Sequence, residues 1–228
     1  MRMLLLLSLT LAGPVAGAER RVALTSYDRV RIDGPVTVRV VTRGPPGARL
    51  TGTPTALAAV EVRLAGGTAI VRRTGTLPAG VAAPTLELSL GTLRAASVSG
   101  GGTLDLTGPL DAARLDLTIT GQGAITARQI ASEALTATLI GEGRFALAGR
   151  AGSVRIMANG GGEVAARDLV ADAAVVRSEG LTAIALTARY TANAATTGSG
   201  VVTILGRPEC RYREVVADSV VCHARTKF

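Results

Sequence analysis

The sequence predicts an all-β protein: a single-domain, right-handed parallel β-solenoid, or β-helix, with rungs of about 20 residues and a C-terminal hairpin cap. Three observations lead to this prediction. Gly-x-Gly turns recur at nearly constant spacing, apolar residues alternate on both sides of each turn, and the chain has 28 Gly, no Trp, 3 Tyr and 2 Phe. So few aromatic residues cannot fill a compact core, whereas stacked aliphatic side chains can fill a thin one.

The first 18 residues are predicted to be a signal peptide. Arg2 supplies a positive n-region, Leu4 to Leu11 form a short apolar h-region, and Ala16-Gly17-Ala18 fits the cleavage motif. The apolar run is too short to span a bilayer as a helix. We therefore expect an exported protein that begins at Glu19, does not span the membrane, and resides in the periplasm, on the cell surface or in the medium.

Residues 19–94 are predicted to form the irregular first coils and an N-terminal cap. Strands are expected over Arg29–Ile32 and Val36–Val40, on either side of a Gly34-Pro35 turn. Proline-rich segments at 44–47 and 77–84 are expected to be loops. Residues 55–59 could form a single helical turn.

Residues 95–208 contain the regular rungs. Apolar residues lie two and four positions before and after each turn, as Val98 and Leu104 do around the first one. Equivalent residues at constant spacing indicate coils that stack in parallel along one axis, and the expected hand is right. The alternative is an antiparallel meander or barrel, in which Gly-x-Gly would mark hairpin turns. The degenerate copy is assigned to 178–180, and the predicted turn glycines are Gly100, Gly102, Gly121, Gly123, Gly141, Gly143, Gly160, Gly162, Gly180, Gly198 and Gly200.

Residues 209–228 are predicted to form a hairpin cap stapled by a disulfide between Cys210 and Cys222, with its turn at 217–219. An exported chain meets an oxidising compartment, in which such a bond persists. A metal site is the alternative, but His223 is the only other nearby ligand, so no metal and no cofactor is expected.

The formal net charge is +8 and nearly all of the positive charge is Arg. One interpretation is attraction to anionic envelope polymers, and the other is surface charge dispersed over the fold. The sequence has no Lys/Arg cluster of five and no interleaved aromatic residues, so nucleic acid is not an expected partner. The remaining candidates are an envelope glycan, an anionic polymer, another envelope protein or a second copy of the chain.

No catalytic constellation is apparent. Glu142, Glu163 and Glu179 lie at or beside successive turns and could form a weak anionic ridge, while the outward columns consist mainly of Thr, Ser and Ala. We therefore predict a non-enzymatic, adhesin-like or structural envelope domain. The alternative is a polysaccharide-active lyase or hydrolase, whose carboxylates would include Asp105 or Glu142.

The segment Tyr27 to Val38, the recurring strand–turn–strand rungs and the closing Gly198 to Pro208 resemble the auto-transporter adhesin "head GIN" domain family of bacterial envelopes. The resemblance covers roughly residues 25–208. It implies an exported β-helical domain without an established biochemical activity.

Overall fold

The computed structural model describes residues 18–213, 216 and 219–223, so residues 1–17 of the predicted signal peptide lie outside the described part. It contains one short helix, α1 (Pro54–Ala58), which Thr53 caps by accepting a hydrogen bond from the Ala56 amide at 3.2 Å. The strands are β1 (Ala18–Val22), β2 (Arg29–Asp33), β3 (Thr37–Thr42), β4 (Gly47–Gly52), β5 (Val60–Ala65), β6 (Thr68–Arg73), β7 (Thr85–Leu90), β8 (Ala95–Ser99), β9 (Thr103–Thr107), β10 (Arg114–Thr120), β11 (Ala124–Ile140), β12 (Arg144–Gly160), β13 (Glu163–Gly180), β14 (Ala183–Thr197), β15 (Val202–Gly206), β16 (Glu209–Arg213) and β17 (Val220–Cys222).

Two long ladders run along the molecule, one built from the strand segments before the turns and one from those after them. The pre-turn ladder has the order β5-β6-β2-β8-β10-β11-β12-β13-β14-β16. The post-turn ladder has the order β1-β4-β7-β3-β9-β11-β12-β13-β14-β15-β17. Every pairing is parallel except β5–β6, β4–β7 and β1–β4. This confirms the parallel β-solenoid over the antiparallel meander; its hand stays a prediction.

Strands β11 to β14 belong to both ladders because each continues around a bend opposite the turn. A register shift marks the bend, for example between Ala127 and Ile130. Just past this shift a short third ladder joins 130–132 of β11 to 149–151 of β12 and 169–171 of β13. Each coil therefore has a turn edge, at the Gly-x-Gly motif, and a bend edge on its far side.

The coils do not stack in chain order at the N-terminal end. Strand β2 pairs with both β6 and β8, and β3 pairs with both β7 and β9. The coil formed by β2 and β3 therefore lies between two coils that come later in the chain. Residues 43–94 form an excursion that covers the outer side of this coil, and the antiparallel strands β1, β4 and β5 close that end.

The core consists of columns of inward-facing residues, one from each coil. One column, just before the turns, passes from Ile32 and Val98 through Ile119, Leu139 and Ala158. It then changes to hydroxyl side chains, Ser178 and Thr196, both buried. The Thr196 and Ser219 hydroxyls lie 2.8 Å apart, whereas the Ser178 Oγ has no hydrogen-bond partner among the described residues.

The turns also stack. Their first residues form one column in which every member has a positive φ, namely Gly34, Gly100, Gly121, Gly141, Gly160, Gly180 and Gly198. At Gly160 a Cβ would lie 2.3 Å from the carbonyl oxygen of Gly141, so only glycine fits. This column corrects the position of the degenerate turn. Because Gly180 stacks on Gly160, that turn is Gly180-Leu181-Thr182 rather than 178–180, and Ile184 and Leu186 then fall in register without a shift.

The C-terminal strands differ from the predicted hairpin. Strand β16 pairs in parallel with β14, and β17 pairs in parallel with β15, so together they add a further coil. The disulfide between Cys210 and Cys222 is present. Cys210 pairs with the buried Ala192 of the adjacent coil, and Cys222 pairs with the buried Ile204. The bond therefore lies across the end of the core rather than between the two strands of a hairpin. Two residues of the predicted turn, Ala217 and Asp218, lie outside the described residues.

Candidate functional site: an axial groove beside the bend edge

The three glutamates predicted as an anionic ridge lie along the turn edge, and each has a neighbour on the preceding coil. Glu142 accepts a hydrogen bond from the Gln122 amide at 3.0 Å, and Glu179 accepts one from Asn159 at 2.9 Å. Glu163 forms an ion pair with Arg144 at 2.9 Å. These pairs connect successive coils at their surface, and they leave the three carboxylates spread along the edge rather than gathered at one site.

The fold separates Asp105, the aspartate predicted as a catalytic candidate, from Asp111 and Asp116, which are close to it in the sequence. Asp105 faces outward on the post-turn ladder, 4.0 Å from Arg39. Asp111 lies in the loop before β10, where a hydrogen bond from Arg43 at 2.7 Å holds the pKa of its carboxyl below its usual value. Asp116 faces outward on the pre-turn ladder. Neither Asp105 nor Glu142 therefore belongs to a converging pair of carboxylates.

His223 follows β17 directly, and its backbone amide donates to the Ile204 carbonyl at 3.1 Å. The residue is exposed and continues the last coil. Among the residues that the structure describes, no three His, Cys, Asp or Glu side chains are grouped so that they could hold a metal ion. No helix in this part of the chain is both long enough and apolar enough to cross a membrane.

A cleft of about 730 Å³ lies where the bend edge meets the pre-turn ladder. We call it the corner cleft. Gly152 creates it, because Gly152 occupies the register position between Glu133 on one coil and Asp172 on another and contributes no side chain. A Cβ at Gly152 would lie 2.8 Å from the Glu133 carbonyl oxygen, so the coils also approach too closely there for a side chain. The cleft is lined by Ala131, Ser132, Glu133, Arg150, Ala151, Gly152, Val170, Asp172 and Arg189.

Both signs of charge meet in the corner cleft. Asp172 and Arg189 form an ion pair at 3.0 Å. Glu133 and Arg150 are exposed, and neither forms an ion pair with another described residue. The floor between them is apolar and consists mainly of Ala and Val side chains. Such a surface can accept ionic groups at its rim and the less polar parts of a ligand at its base.

Two further clefts continue from the corner cleft along the coil stack. One, of about 690 Å³, shares Glu133 with it and also includes Arg29, Arg94, Arg114 and Asp116. The next, of about 250 Å³, shares Arg29 and Asp116 with the second. Together these three clefts form what we call the axial groove, which runs across successive coils rather than along one strand.

Sequence reasoning did not find this groove. In the corner cleft, the carboxylates Glu133 and Asp172 and the arginines Arg150 and Arg189 lie at or beside the bend, where register shifts change the spacing from coil to coil. The signal in the sequence was an Arg residue five or seven positions after the last residue of each turn from 121–123 onward, which is also the pattern of dispersed surface charge.

Comparisons with known proteins agree with this fold. A family model described as "Putative auto-transporter adhesin, head GIN domain" matches residues 26–208. A search of curated proteins finds no match.

Solved structures of similar fold include a "putative adhesin" from Bacteroides fragilis, which aligns with a TM-score of 0.81 at 18% identity over 91% of this chain and 96% of that chain. A "putative lipid binding protein" from Parabacteroides distasonis aligns at 0.73 and 17% identity, over 92% and 98% of the two chains. A "putative adhesin" from the same species aligns at 0.72 and 13% identity, over 93% and 96%. At these identities the likeness shows a shared fold.

Proposed function

From the premise that this chain belongs to the auto-transporter adhesin, head GIN domain family, we propose that it is an exported, non-enzymatic envelope domain that binds an extended partner in the axial groove. The axial groove is the observation that supports this most directly. Three adjoining clefts cross several coils, and a linear partner laid along the stack would contact them together. Export is supported by the family and by the disulfide, since such bonds persist outside the reducing cytoplasm.

Adhesin-like binding is tested with the mature chain, 19–228, labelled with a fluorophore and incubated with purified cell-wall, lipopolysaccharide and capsule fractions. We expect saturable retention on at least one fraction. The variant Ala131→Trp fills the corner cleft from an exposed strand position and should weaken retention at least tenfold. Ala183→Trp makes the same change at an exposed position on the post-turn ladder, away from the groove, and should retain wild-type binding. Equal retention of both variants and wild type would contradict a role for the groove.

The alternative is a polysaccharide-active enzyme, and one observation favours testing it. Glu133 and Asp172 line the same cleft from coils two steps apart, and paired carboxylates across a cleft are what glycoside hydrolysis requires. Asp172 forms an ion pair with Arg189, and Glu133 is exposed, so neither carboxyl lies in the enclosed apolar setting of a general acid. Release of reducing ends or unsaturated products from envelope polysaccharides, abolished by Glu133→Gln, would establish the enzyme and overturn the non-enzymatic proposal.

A further inference from the structure

The bend edge carries one arginine from each of five consecutive coils. They are scattered in the sequence, and the ladders place them at three positions around the bend. Arg128 and Arg167 follow Ala127 and Ala166, the last paired residues of their post-turn segments. Arg150 lies farther around the bend, where it pairs with Ala131 and Val170, and Arg189 and Arg207 follow the paired residues Ala188 and Gly206. All five side chains belong to exposed residues. We call this set the arginine edge, and it consists of Arg128, Arg150, Arg167, Arg189 and Arg207.

The arginine edge has more positive charge than its surroundings neutralise. Arg189 pairs with Asp172 at 3.0 Å. For the other four members, the described residues provide no ion pair and no side-chain hydrogen bond. Glu133, Asp168 and Asp172 supply carboxylates along the same edge. Asp111 and Glu209 also lie there, but they pair with Arg43 and Arg211, which are not members of the edge. The turn edge differs, because its glutamates each have a partner on the adjacent coil.

The spacing of the arginine edge follows the coil stack. Adjacent coils are about 4.8 Å apart. Arg128 and Arg167 each directly follow the post-turn segment of their own coil and lie two coils apart, so they are separated by about 10 Å along the axis. Arg150 and Arg189 lie farther around the bend on the intervening and following coils. The five cations therefore form a band of positive charge around the bend that extends over successive coils, and such a band attracts a polymer that carries several anionic groups.

An exposed aromatic ring beside the arginine edge favours an acidic polysaccharide over a single-stranded nucleic acid as the ligand. Tyr190 is 60% exposed, and the Arg189 guanidinium carbon lies 4.9 Å from its ring centroid. A single ring with an adjacent guanidinium offers a flat apolar face for one sugar and a cation for its acidic neighbour. Proteins that bind single-stranded nucleic acid stack successive bases on several aromatic side chains, and along this edge the described residues provide only Tyr190.

We propose that the arginine edge binds a linear acidic polysaccharide whose carboxylates contact Arg128, Arg150, Arg167 and Arg207, with one sugar ring placed on Tyr190. The proposal rests on the binding function inferred above and specifies its ligand class. The polysaccharide lies parallel to the coil axis, with part of the chain in the corner cleft beside Arg150.

The test uses the mature chain and defined oligosaccharides in isothermal titration. Hyaluronan oligomers, in which every second sugar is a uronic acid, are the acidic probe, and chito-oligosaccharides of equal length are the neutral one. We expect binding of hyaluronan oligomers, no detectable binding of the neutral oligomers, and weaker binding as salt is raised because exposed charges are screened. The variant Arg128→Gln/Arg150→Gln/Arg167→Gln should bind at least tenfold more weakly, and Tyr190→Ala several-fold more weakly.

A second triple variant separates the site from bulk charge. Arg63→Gln/Arg155→Gln/Arg177→Gln removes the same three charges from exposed residues away from the arginine edge and should bind as wild type does. Equal losses in the two triple variants would overturn the proposal, as would equal affinity for a single-stranded DNA oligomer of matched charge. Retention on envelope fractions without binding of hyaluronan would refute this ligand class and leave the adhesin-like function standing. Absence of binding in both assays would refute both.

Discussion

Replacing Gly160 by Ala is expected to destabilise the fold through two separate effects, backbone strain and steric overlap with the adjacent coil. Gly160 has φ +129°, which an L-residue adopts only with strain of about 1–3 kcal/mol. Its Cβ would also lie 2.3 Å from the Gly141 carbonyl oxygen. That oxygen cannot move aside easily because it accepts a hydrogen bond from the Gly161 amide at 3.1 Å. Overpacking against fixed atoms costs about 1–3 kcal/mol, so we expect a total loss of roughly 3–5 kcal/mol.

Two matched substitutions isolate these terms. Gly80 has φ +82° but open space around the position of its Cβ, so Gly80→Ala should show the backbone term alone, about 1 kcal/mol. Gly161 is the exposed middle residue of the same turn as Gly160, and its Cβ would meet only the Glu142 side chain at 4.0 Å. Gly161→Ala should therefore change the free energy of unfolding by no more than about 0.5 kcal/mol.

Urea unfolding followed by far-ultraviolet circular dichroism measures all three variants. Stacked coils contact only their neighbours and can unfold in parts, so the m-value is compared as well as the midpoint. If Gly160→Ala is no less stable than Gly80→Ala, the close approach of the stacked turns is wrong.

Three other predictions concern buried groups. Ser178→Ala removes a buried hydroxyl without a described hydrogen-bond partner and should leave the urea midpoint unchanged or raise it, whereas Thr182→Val loses a 3.0 Å hydrogen bond to the Gly160 carbonyl and should lower stability by about 1 kcal/mol. Burial raises the pKa of Tyr27 to about 12 from its usual value near 10, so the contribution of its neutral phenol to stability is complete below pH 10 and is lost as the pH rises toward 12. The absorbance titration of the wild type minus that of Tyr27→Phe should show one phenol with this pKa. A phenol that titrates at 10 in this difference would contradict the burial of Tyr27. Cys210→Ser/Cys222→Ser should lower stability by about 3 kcal/mol, and a loss confined to exchange protection of β16 and β17 would show that the bond stabilises only the last coil.

The sequence was enough to predict the coil stack because two strong local signals agreed. Alternating apolar residues around each turn required strands with one buried face, and constant spacing required equivalent positions to stack. The degenerate turn was misplaced by two residues because Ser178-Glu179-Gly180 resembles the motif, whereas the stack requires a positive φ at its first position and Gly180 supplies it. The correct register was missed because it places Ser178, a polar residue, in the column before the turns, where aliphatic residues were expected.

Other features depend on contacts that the local pattern does not contain. The β2–β3 coil lies between later coils because β2 pairs with β6 on one side and with β8 on the other. Many strands of this chain have similar sequences, and nothing in residues 29–42 specifies these two partners. The C-terminal hairpin was inferred from a short loop between two cysteines. The strands that contain Ala192 and Ile204 instead pair in parallel with β16 and β17, and both cysteines pack against the end of the core.

The axial groove and the arginine edge were not predictable because they arise across coils. Arg128, Arg150 and Arg167 are separated by unequal distances in the sequence, since the bends differ in length. Only the register of the ladders shows that they fall on one edge. Gly152 is likewise not part of a Gly-x-Gly turn, and its role in opening the corner cleft follows from the position of Glu133 on the adjacent coil.

Distances between exposed middle residues of the turns test the coil stack most directly. Spin labels are placed at Gln122 together with Glu142, Leu181 or Ser199, which occupy the middle of the turns one, three and four coils away. Parallel stacking predicts backbone separations that grow by about 4.8 Å per coil, to about 14 Å for the Leu181 pair and about 19 Å for the Ser199 pair, plus the lengths of the labels. Separations that do not increase in proportion to the number of coils would contradict parallel stacking and every surface derived from it.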